Sequence, residues 1–210
     1  MKPIRFLAGL SLALASFVTP TLSSAANVLS RLDRFLAEVQ SGQGSFTQRV
    51  ASRSGRRPQR SAGEFAFARP GRFLWVYTEP YPQRLVGDGK RLWSYDRDLN
   101  QVTVKPLGDA LGATPAAILA GEGALTRNFD VADNGSHDGL DWVLARPKAA
   151  DSPFTEMELG FDGDALQAMV IRDSFGQQTE LRFERFERNP SLHANLFHFV
   201  PPAGADVIGE

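Results

Sequence analysis

Histidines, paired carboxylates and glycine-rich loops are the places where this chain could do chemistry, and each has a quieter reading. His137, His193 and His198 form neither an HExxH pair nor any other spacing at which imidazoles share a metal. No G-x-S-x-G sequence offers a nucleophile elbow. Gly42-Gln43-Gly44-Ser45 and Gly121-Glu122-Gly123 look superficially like nucleotide loops. Neither sits between a strand and a long helix, the third glycine is missing, and there is no Walker lysine, so both read better as helix C-caps. Glu156 and Glu158 alternate along one strand face, which suits a solvent-facing strand better than an acid/base pair. The expectation is a protein with no catalytic residue, no metal and no cofactor, and not an enzyme.

Arg69 is the residue that does not fit a bland sheet. It continues the side-chain parity of Phe65 and Phe67, so a straight strand would aim its guanidinium at the aromatic side. An unpartnered charge there would cost several kcal/mol. Its five donors therefore call for acceptors brought from elsewhere, such as carbonyls at the open end of a helix. The alternative is a rim arginine reaching water from the strand end.

These residues need elements to hold them. After Asn27, a fitting N-cap, apolar side chains fall at Val28, Leu29, Leu32, Phe35, Leu36 and Val39, the spacing of one helical face, and Gly42 and Gly44 are expected to stop the helix. Strands follow. Ser45 to Val50 and Gly63 to Arg69 alternate, and Phe73, Trp75 and Tyr77 face one way from the next strand while Leu74 and Val76 face the other. Asp88-Gly89 is a hairpin turn between Arg84 to Val86 and Arg91 to Tyr95, and a further strand is expected at Gln101 to Val104. Asp162-Gly163 joins Phe154 to Phe161 with Ala165 to Ile171, and Gln178 to Phe186 is the last clear strand. Short turns in series connect antiparallel neighbours, which implies a meander curled into a barrel or a strongly bent sheet. A second helix interrupts it, with Thr114 as N-cap, Pro115 at N1 and Ala116 to Ala120 as its body.

Composition sets the frame. Nineteen glycines and 13 prolines among 210 residues fall short of what marks disordered chains. A formal charge of -1 argues against wholesale nucleic-acid binding. Without cysteine there is no disulfide framework, no thiolate metal site and no residue to carry a cysteine-linked lipid. Lys2 and Arg5 precede the apolar run from Phe6 to Val18, and Ser24-Ala25-Ala26 supplies small residues for cleavage, so residues 1–26 read as a signal peptide and 27–210 as a single mature domain. That run is shorter than the roughly 20 residues of a membrane span. Arg53, Arg56, Arg57 and Arg60 are expected in an exposed hairpin loop, either simply solvated or docking on an acidic partner surface or anionic lipid.

The run from Gly63 through Arg69-Pro70 to Phe73-Leu74-Trp75-Val76-Tyr77, followed by Pro80, Asp88-Gly89 and Leu92-Trp93-Ser94-Tyr95-Asp96, resembles the periplasmic outer-membrane lipoprotein carriers of the Lol pathway. The leading helix, the Ser45-Phe46-Thr47-Gln48 strand, the Thr114-Pro115 helix and the closing Phe197-His198-Phe199-Val200-Pro201-Pro202 come in that family's order. The outer-membrane acceptor is a related lipoprotein, and the absence of cysteine separates this chain from it. The resemblance implies a mainly β protein with short helices, an incomplete antiparallel β-barrel covered by a helical lid. It also implies a periplasmic chaperone, a monomer that receives acylated lipoproteins from an inner-membrane ATP-binding-cassette transporter and hands them to the outer-membrane acceptor. Arg69 matches the arginine that holds the empty lid shut by hydrogen bonds to its carbonyls. Leu32, Phe35, Leu36, Phe65, Phe67, Phe73, Trp75, Trp93, Tyr95, Ile118 and Leu119 are the side chains expected to line the acyl-chain cavity, although plain core packing would use the same residue types. A lipid- or lipoprotein-sensing regulator on the same curved sheet is the other reading.

Overall fold

A computed structural model describes residues 25–52, 55, 57–110, 115–121, 124–150 and 152–209. Nearly all of the expected signal peptide, as well as Arg53, Arg56 and the expected N-cap Thr114, lies outside them. Helix α1 (Ala25–Glu38) leads into a six-strand meander, β1 (Ser41–Ser52), β2 (Gln59–Ala68), β3 (Arg72–Glu79), β4 (Gln83–Asp88), β5 (Arg91–Asp96) and β6 (Gln101–Pro106). Three short helices come next, α2 (Leu107–Ala110), α3 (Pro115–Ala120) and α4 (Ala124–Asn128). The second run of strands is β7 (Phe129–His137), β8 (Leu140–Pro147), β9 (Phe154–Asp162), β10 (Ala165–Asp173) and β11 (Gln177–Arg188), and a 3-10 turn at Ala194–Phe197 and β12 (Asp206–Gly209) end the chain.

All twelve strands belong to one sheet in the order β12-β6-β5-β4-β3-β2-β1-β11-β10-β9-β8-β7. Neighbours are antiparallel except β12, which runs parallel to β6. The two meanders meet where β1 pairs with β11, and the sheet curves without closing, as an incomplete barrel. Its concave face holds the main core. Phe46, Phe65, Phe67, Phe73, Trp75, Met157, Met169, Leu181 and Phe183 come from the sheet, Val28, Leu32, Phe35 and Val39 from α1, and Ala116, Ala117, Leu119 and Ala120 from α3. The helical spacing of apolar residues in α1 is thus the spacing of the face that covers this core.

Gly42 and Gly44 do not cap α1, contrary to the sequence reading. The helix ends at Glu38, and both glycines lie inside β1. The cap comes from Asn189, far along the chain, whose side-chain amide donates to the Glu38 carbonyl at 2.9 Å while its oxygen accepts from the Gln40 N–H at 2.8 Å. The glycines serve close approach instead. A Cβ on Gly42 would lie 2.6 Å from the Phe67 ring, and one on Gly44, beside a register shift, would lie 2.9 Å from the Glu184 carbonyl oxygen. Gly121 does end α3, its N–H turning back to the Ile118 carbonyl at 3.4 Å.

Strands β7, β8 and β12 have no counterpart among the expected elements. In β7 the pairing slips between Asp133 and Ser136, which breaks the alternation. In β8, Trp142, Val143, Leu144 and Ala145 are buried in succession, so both faces are covered and no period of two survives.

Candidate functional site

The turn from β2 to β3 is the joint between sheet and helices. Its backbone holds both covers, for the Arg69 N–H donates to Gln40 O just past α1 and the Gly71 N–H to Ala120 O at the end of α3, each at 2.8 Å. The Arg69 side chain repeats the arrangement. Nε donates to Leu119 O at 3.1 Å, and Nη1 to Leu36 O at 2.8 Å and Phe35 O at 3.5 Å. These carbonyls belong to the last turns of α1 and α3, where backbone acceptors run out of helical partners and the dipole is negative, although Phe35 O also accepts from the Val39 N–H at 3.1 Å. One guanidinium therefore caps two helices at once.

Arg69 is 8% exposed and is the buried charged residue among those described. Its guanidinium carbon lies 5.5 Å from the centre of the Phe35 ring and 5.7 Å from that of Phe67, so aromatic faces replace part of the lost hydration. Burial pushes its pKa down to about 10, which leaves it cationic at neutral pH. The guanidinium thus faces inward, as the parity of Phe65 and Phe67 requires, and not to water at the rim.

Leu32, Phe35, Phe65, Phe67, Phe73, Trp75 and Leu119 all lie in the concave core, with Leu36 and Ile118 packed against it half-buried. Trp93 and Tyr95 are placed elsewhere, which corrects their expected position in the cavity wall. In the ladder Phe73 is opposite Gly87 and Gly87 opposite Leu92, so Leu92 is the residue of β5 that reaches the concave core. Trp93 and Tyr95 have the other parity and project from the convex face, where the Phe199 ring lies 5.7 and 6.0 Å away. Val86, Val102, Val104 and Phe197 are buried outside the concave core as well. The closing segment is thus a cover for the outside of the sheet.

Aromatic residues that the sequence reading left out of the site are central to it. Phe46 stacks on Trp75 at 4.2 Å, and Phe183 meets Phe65 edge-on at 5.4 Å. Their alternation within β1 and β11 was a usable signal. Between α3 and the strands a cleft of about 400 Å³ opens, lined by Gln48, Val50, Trp75, Tyr77, Leu85, Pro115, Ala116, Pro153, Phe154, Ile171, Asp173, Phe175, Gln177 and Thr179. That size lies within the range of about 300–1,000 Å³ usual for ligand sites. Tyr77 Oη donates to Gln48 Oε1 at 3.1 Å, and burial pushes the phenol pKa up.

Glu156 and Glu158 share an ion pair with Arg172, and the three histidines are exposed. Among the described residues no three His, Asp or Glu side chains converge as metal ligands would.

The family model described as outer membrane lipoprotein carrier protein LolA matches residues 37–200. The chain belongs to this family. An outer-membrane lipoprotein carrier protein of Dechloromonas aromatica is 46% identical, over 95% of this chain and 96% of its own length. That of Methylobacillus flagellatus is 42% identical, over 99% and 100%. Among solved structures, an uncharacterized conserved protein from Thermus thermophilus superposes with a TM-score of 0.54 at 17% identity, covering 86% of this chain and 98% of that one. A LolA superfamily protein from Nitrosomonas europaea gives 0.50 at 13%, over 83% and 97%. At such identities these two share the fold alone.

Proposed function

We propose that this chain works in the periplasm as a monomeric chaperone, taking acylated lipoproteins released by an inner-membrane ATP-binding-cassette transporter and delivering them to an outer-membrane acceptor. Carriage of lipoproteins rests on family membership; the route, the two partners and the absence of enzymatic chemistry are the further reading. The observation that carries it is Arg69, one buried cation bonded to the C-terminal carbonyls of both helices that cover an aromatic concave face.

Energetics gives that arrangement its use. Burying hydrocarbon is worth about 0.8 kcal/mol per CH₂, so three chains of a dozen or more carbons hold a lipoprotein in a membrane by roughly 30 kcal/mol gross. A carrier must offer a comparable apolar surface and still release it. In the closed state the concave face is filled by the carrier's own side chains, so cargo must displace α3 and α1 contacts and break the Arg69 hydrogen bonds. Part of the gain in burial is spent on opening, which weakens net binding enough for transfer. Residues 1–26 as a signal peptide and the side chains of the concave core as the acyl-chain wall complete the reading.

The test is isolation of the soluble protein from the periplasm with its cargo. Acylated lipoprotein at a one-to-one ratio, identified by mass spectrometry in fractions free of membrane, is the expected result. Protein that never carries acylated cargo while lipoproteins still reach the outer membrane would refute the reading.

A further inference from the structure

Six large apolar side chains are exposed among the described residues, and three of them are the tips of turns: Phe175 at 91%, Tyr81 at 74% and Leu99 at 70%. Taken singly, an exposed apolar residue means little. Their placement means more. Ser52 is opposite Gln177, Val50 opposite Gln59, Ala62 opposite Glu79 and Gln83 opposite Asp96, so the β10–β11, β1–β2, β3–β4 and β5–β6 turns all stand on one rim of the sheet. The turns on the opposite rim are short and polar, such as Asp138-Gly139 and Gly163-Asp164, and among the described residues none has a large apolar tip.

The three tips are held in place. Asp173 Oδ1 accepts from the Phe175 and Gln177 N–H groups at 2.9 and 2.7 Å, and Asp96 Oδ1 accepts from the Asp98 and Leu99 N–H groups at 3.0 and 3.1 Å. The same device thus fixes two of the turns, and Pro80 and Pro82 restrict the backbone on either side of Tyr81. With strands about 4.8 Å apart, the Leu99 turn lies about 10 Å and the Phe175 turn about 19 Å along the rim from that of Tyr81. A protein partner gathers its anchors in one packed centre, whereas a bilayer closes around each tip separately.

Charge and the cleft agree with a lipid surface. Exposed Arg57 and Arg60 stand where β1 turns into β2, between the Tyr81 and Phe175 turns in strand order, and exposed Arg97 is close to Leu99 in its turn. Glu79 and Asp98 share that rim, so attraction to anionic headgroups is modest and burial of the three tips supplies most of the binding. Phe175 and Gln177 also line the cleft under α3, which therefore opens on the same rim.

We propose that this rim docks reversibly on the surface of an anionic lipid bilayer, with Tyr81, Leu99 and Phe175 inserted at the level of the headgroups and the cleft mouth held against the membrane. The docking stands on the rim itself. Its use, passing acyl chains between cleft and bilayer without a crossing of water, rests on the carrier reading above. Three side chains bury less hydrocarbon than a myristoyl chain, whose affinity is about 10⁴ M⁻¹, so the protein leaves the surface as readily as it arrives.

The test is flotation of the cargo-free protein with vesicles of phosphatidylethanolamine and phosphatidylglycerol, and with vesicles of phosphatidylcholine alone. Binding to the first at roughly 10³ to 10⁴ M⁻¹ is expected. It should fall about tenfold for each of Tyr81→Ser, Leu99→Ser and Phe175→Ser. Arg57→Gln and Arg60→Gln together should remove the preference over phosphatidylcholine. Because the chain has no cysteine, Asp98→Cys carries an environment-sensitive dye on the rim and Lys90→Cys carries it on the opposite one. Only the rim dye should shift to the blue on vesicles. Wild-type protein that does not float, binding unchanged in the triple serine variant, an anionic preference retained without the two arginines, or equal dye shifts at both ends would each overturn the docking. None of these outcomes touches the carriage of lipoproteins, which recovery of cargo from the periplasm tests separately. The dye measurement keeps all three tips and decides alone if a serine variant does not fold.

Discussion

If α1 and α3 open as the proposed function requires, the hydrogen bonds of Arg69 to Leu36 O and Leu119 O exist only in the closed arrangement, and that gives its substitution a direction. In Arg69→Leu the Leu36 and Leu119 carbonyls lose their donor and an aliphatic chain joins Phe35 and Phe67, so the closed state loses hydrogen bonds and the open cavity gains apolar wall. The variant is expected to fold, to accept lipoprotein from inner membranes, and to deliver it poorly because it holds it too tightly. A two-step assay on separated membranes, scoring soluble complex and delivered cargo, distinguishes this from simple loss of binding; normal delivery would remove Arg69 from the mechanism. Arg69→Lys should fall between, since a point charge cannot reproduce a planar fork reaching two helix ends. Burial lowers the Arg69 pKa to about 10, so the charge is present throughout pH 5 to 8 and is lost only as pH rises through that depressed value. Lid protection from amide exchange should accordingly show no Arg69-dependent midpoint in the neutral range, and a midpoint there that disappears in Arg69→Leu would contradict the lock as described.

At the scale of elements, α1 is tied down along its length. Arg31 pairs with Asp141 on β8, Arg34 with Asp164 in the β9–β10 turn, and Asn189 caps its end. The Asp141 pKa is depressed first by the Ser136 hydroxyl and also by Arg31, and that of Asp164 chiefly by Arg34. Carboxylates depressed in the folded state add stability that is present above their ordinary pKa near about 4 and vanishes as pH falls through the lowered values. Protection of α1 from amide exchange should therefore fall below about pH 4, and in an Arg31→Ala, Arg34→Ala protein that acid step should be smaller, with only the Ser136 hydroxyl left to hold Asp141 down. Gly63 illustrates a tighter constraint, because a Cβ there would lie 1.9 Å from the Val76 carbonyl oxygen and 2.9 Å from the Phe46 ring. Gly63→Ala should lower stability by at least about 1–3 kcal/mol in denaturant unfolding, and an unchanged midpoint would show that the sheet yields there. Such features divide what the sequence makes legible from what it hides. The α1 stripe, most strands of the meander and the inward aim of Arg69 follow from local periods. The Asn189 cap and the crowding at Gly42 depend on partners distant in the chain, and β7 and β8 escape because a register shift and two-sided burial erase the alternation. Trp93 and Tyr95 lie on the face opposite to the expected one because parity tells which side chains share a face, while which face is concave depends on how the whole sheet curves.

The whole molecule is one sheet with unlike covers on its two sides. The closing segment from the 3-10 turn packs Phe197 and Phe199 on the convex face of the first meander, while α1 and α3 cover the concave face. Cargo that needs the concave face must move a helix, and the two helices are unequal. α1 has 14 residues with ion pairs to the second meander, whereas α3 has six, well below the roughly 12–15 at which an isolated helix becomes even marginally stable. The order of α3 therefore depends on Leu119, Ala120 and their neighbours staying packed, and on the Arg69 and Gly71 hydrogen bonds at its end. Pro115 and Ala116 also line the cleft, so under the proposed function acyl chains entering there would push directly on α3. Loading with a diacylated peptide is accordingly expected to cut amide protection over residues 117–121 by an order of magnitude or more while leaving residues 32–38 of α1 close to their unloaded rates. Hydrogen exchange read by mass spectrometry on peptides spanning each helix measures the two separately. Equal loss in both helices would mean that the lid lifts as one body, and a gain of protection in α3 would mean that cargo enters without displacing it; either result would refute α3 as the gate.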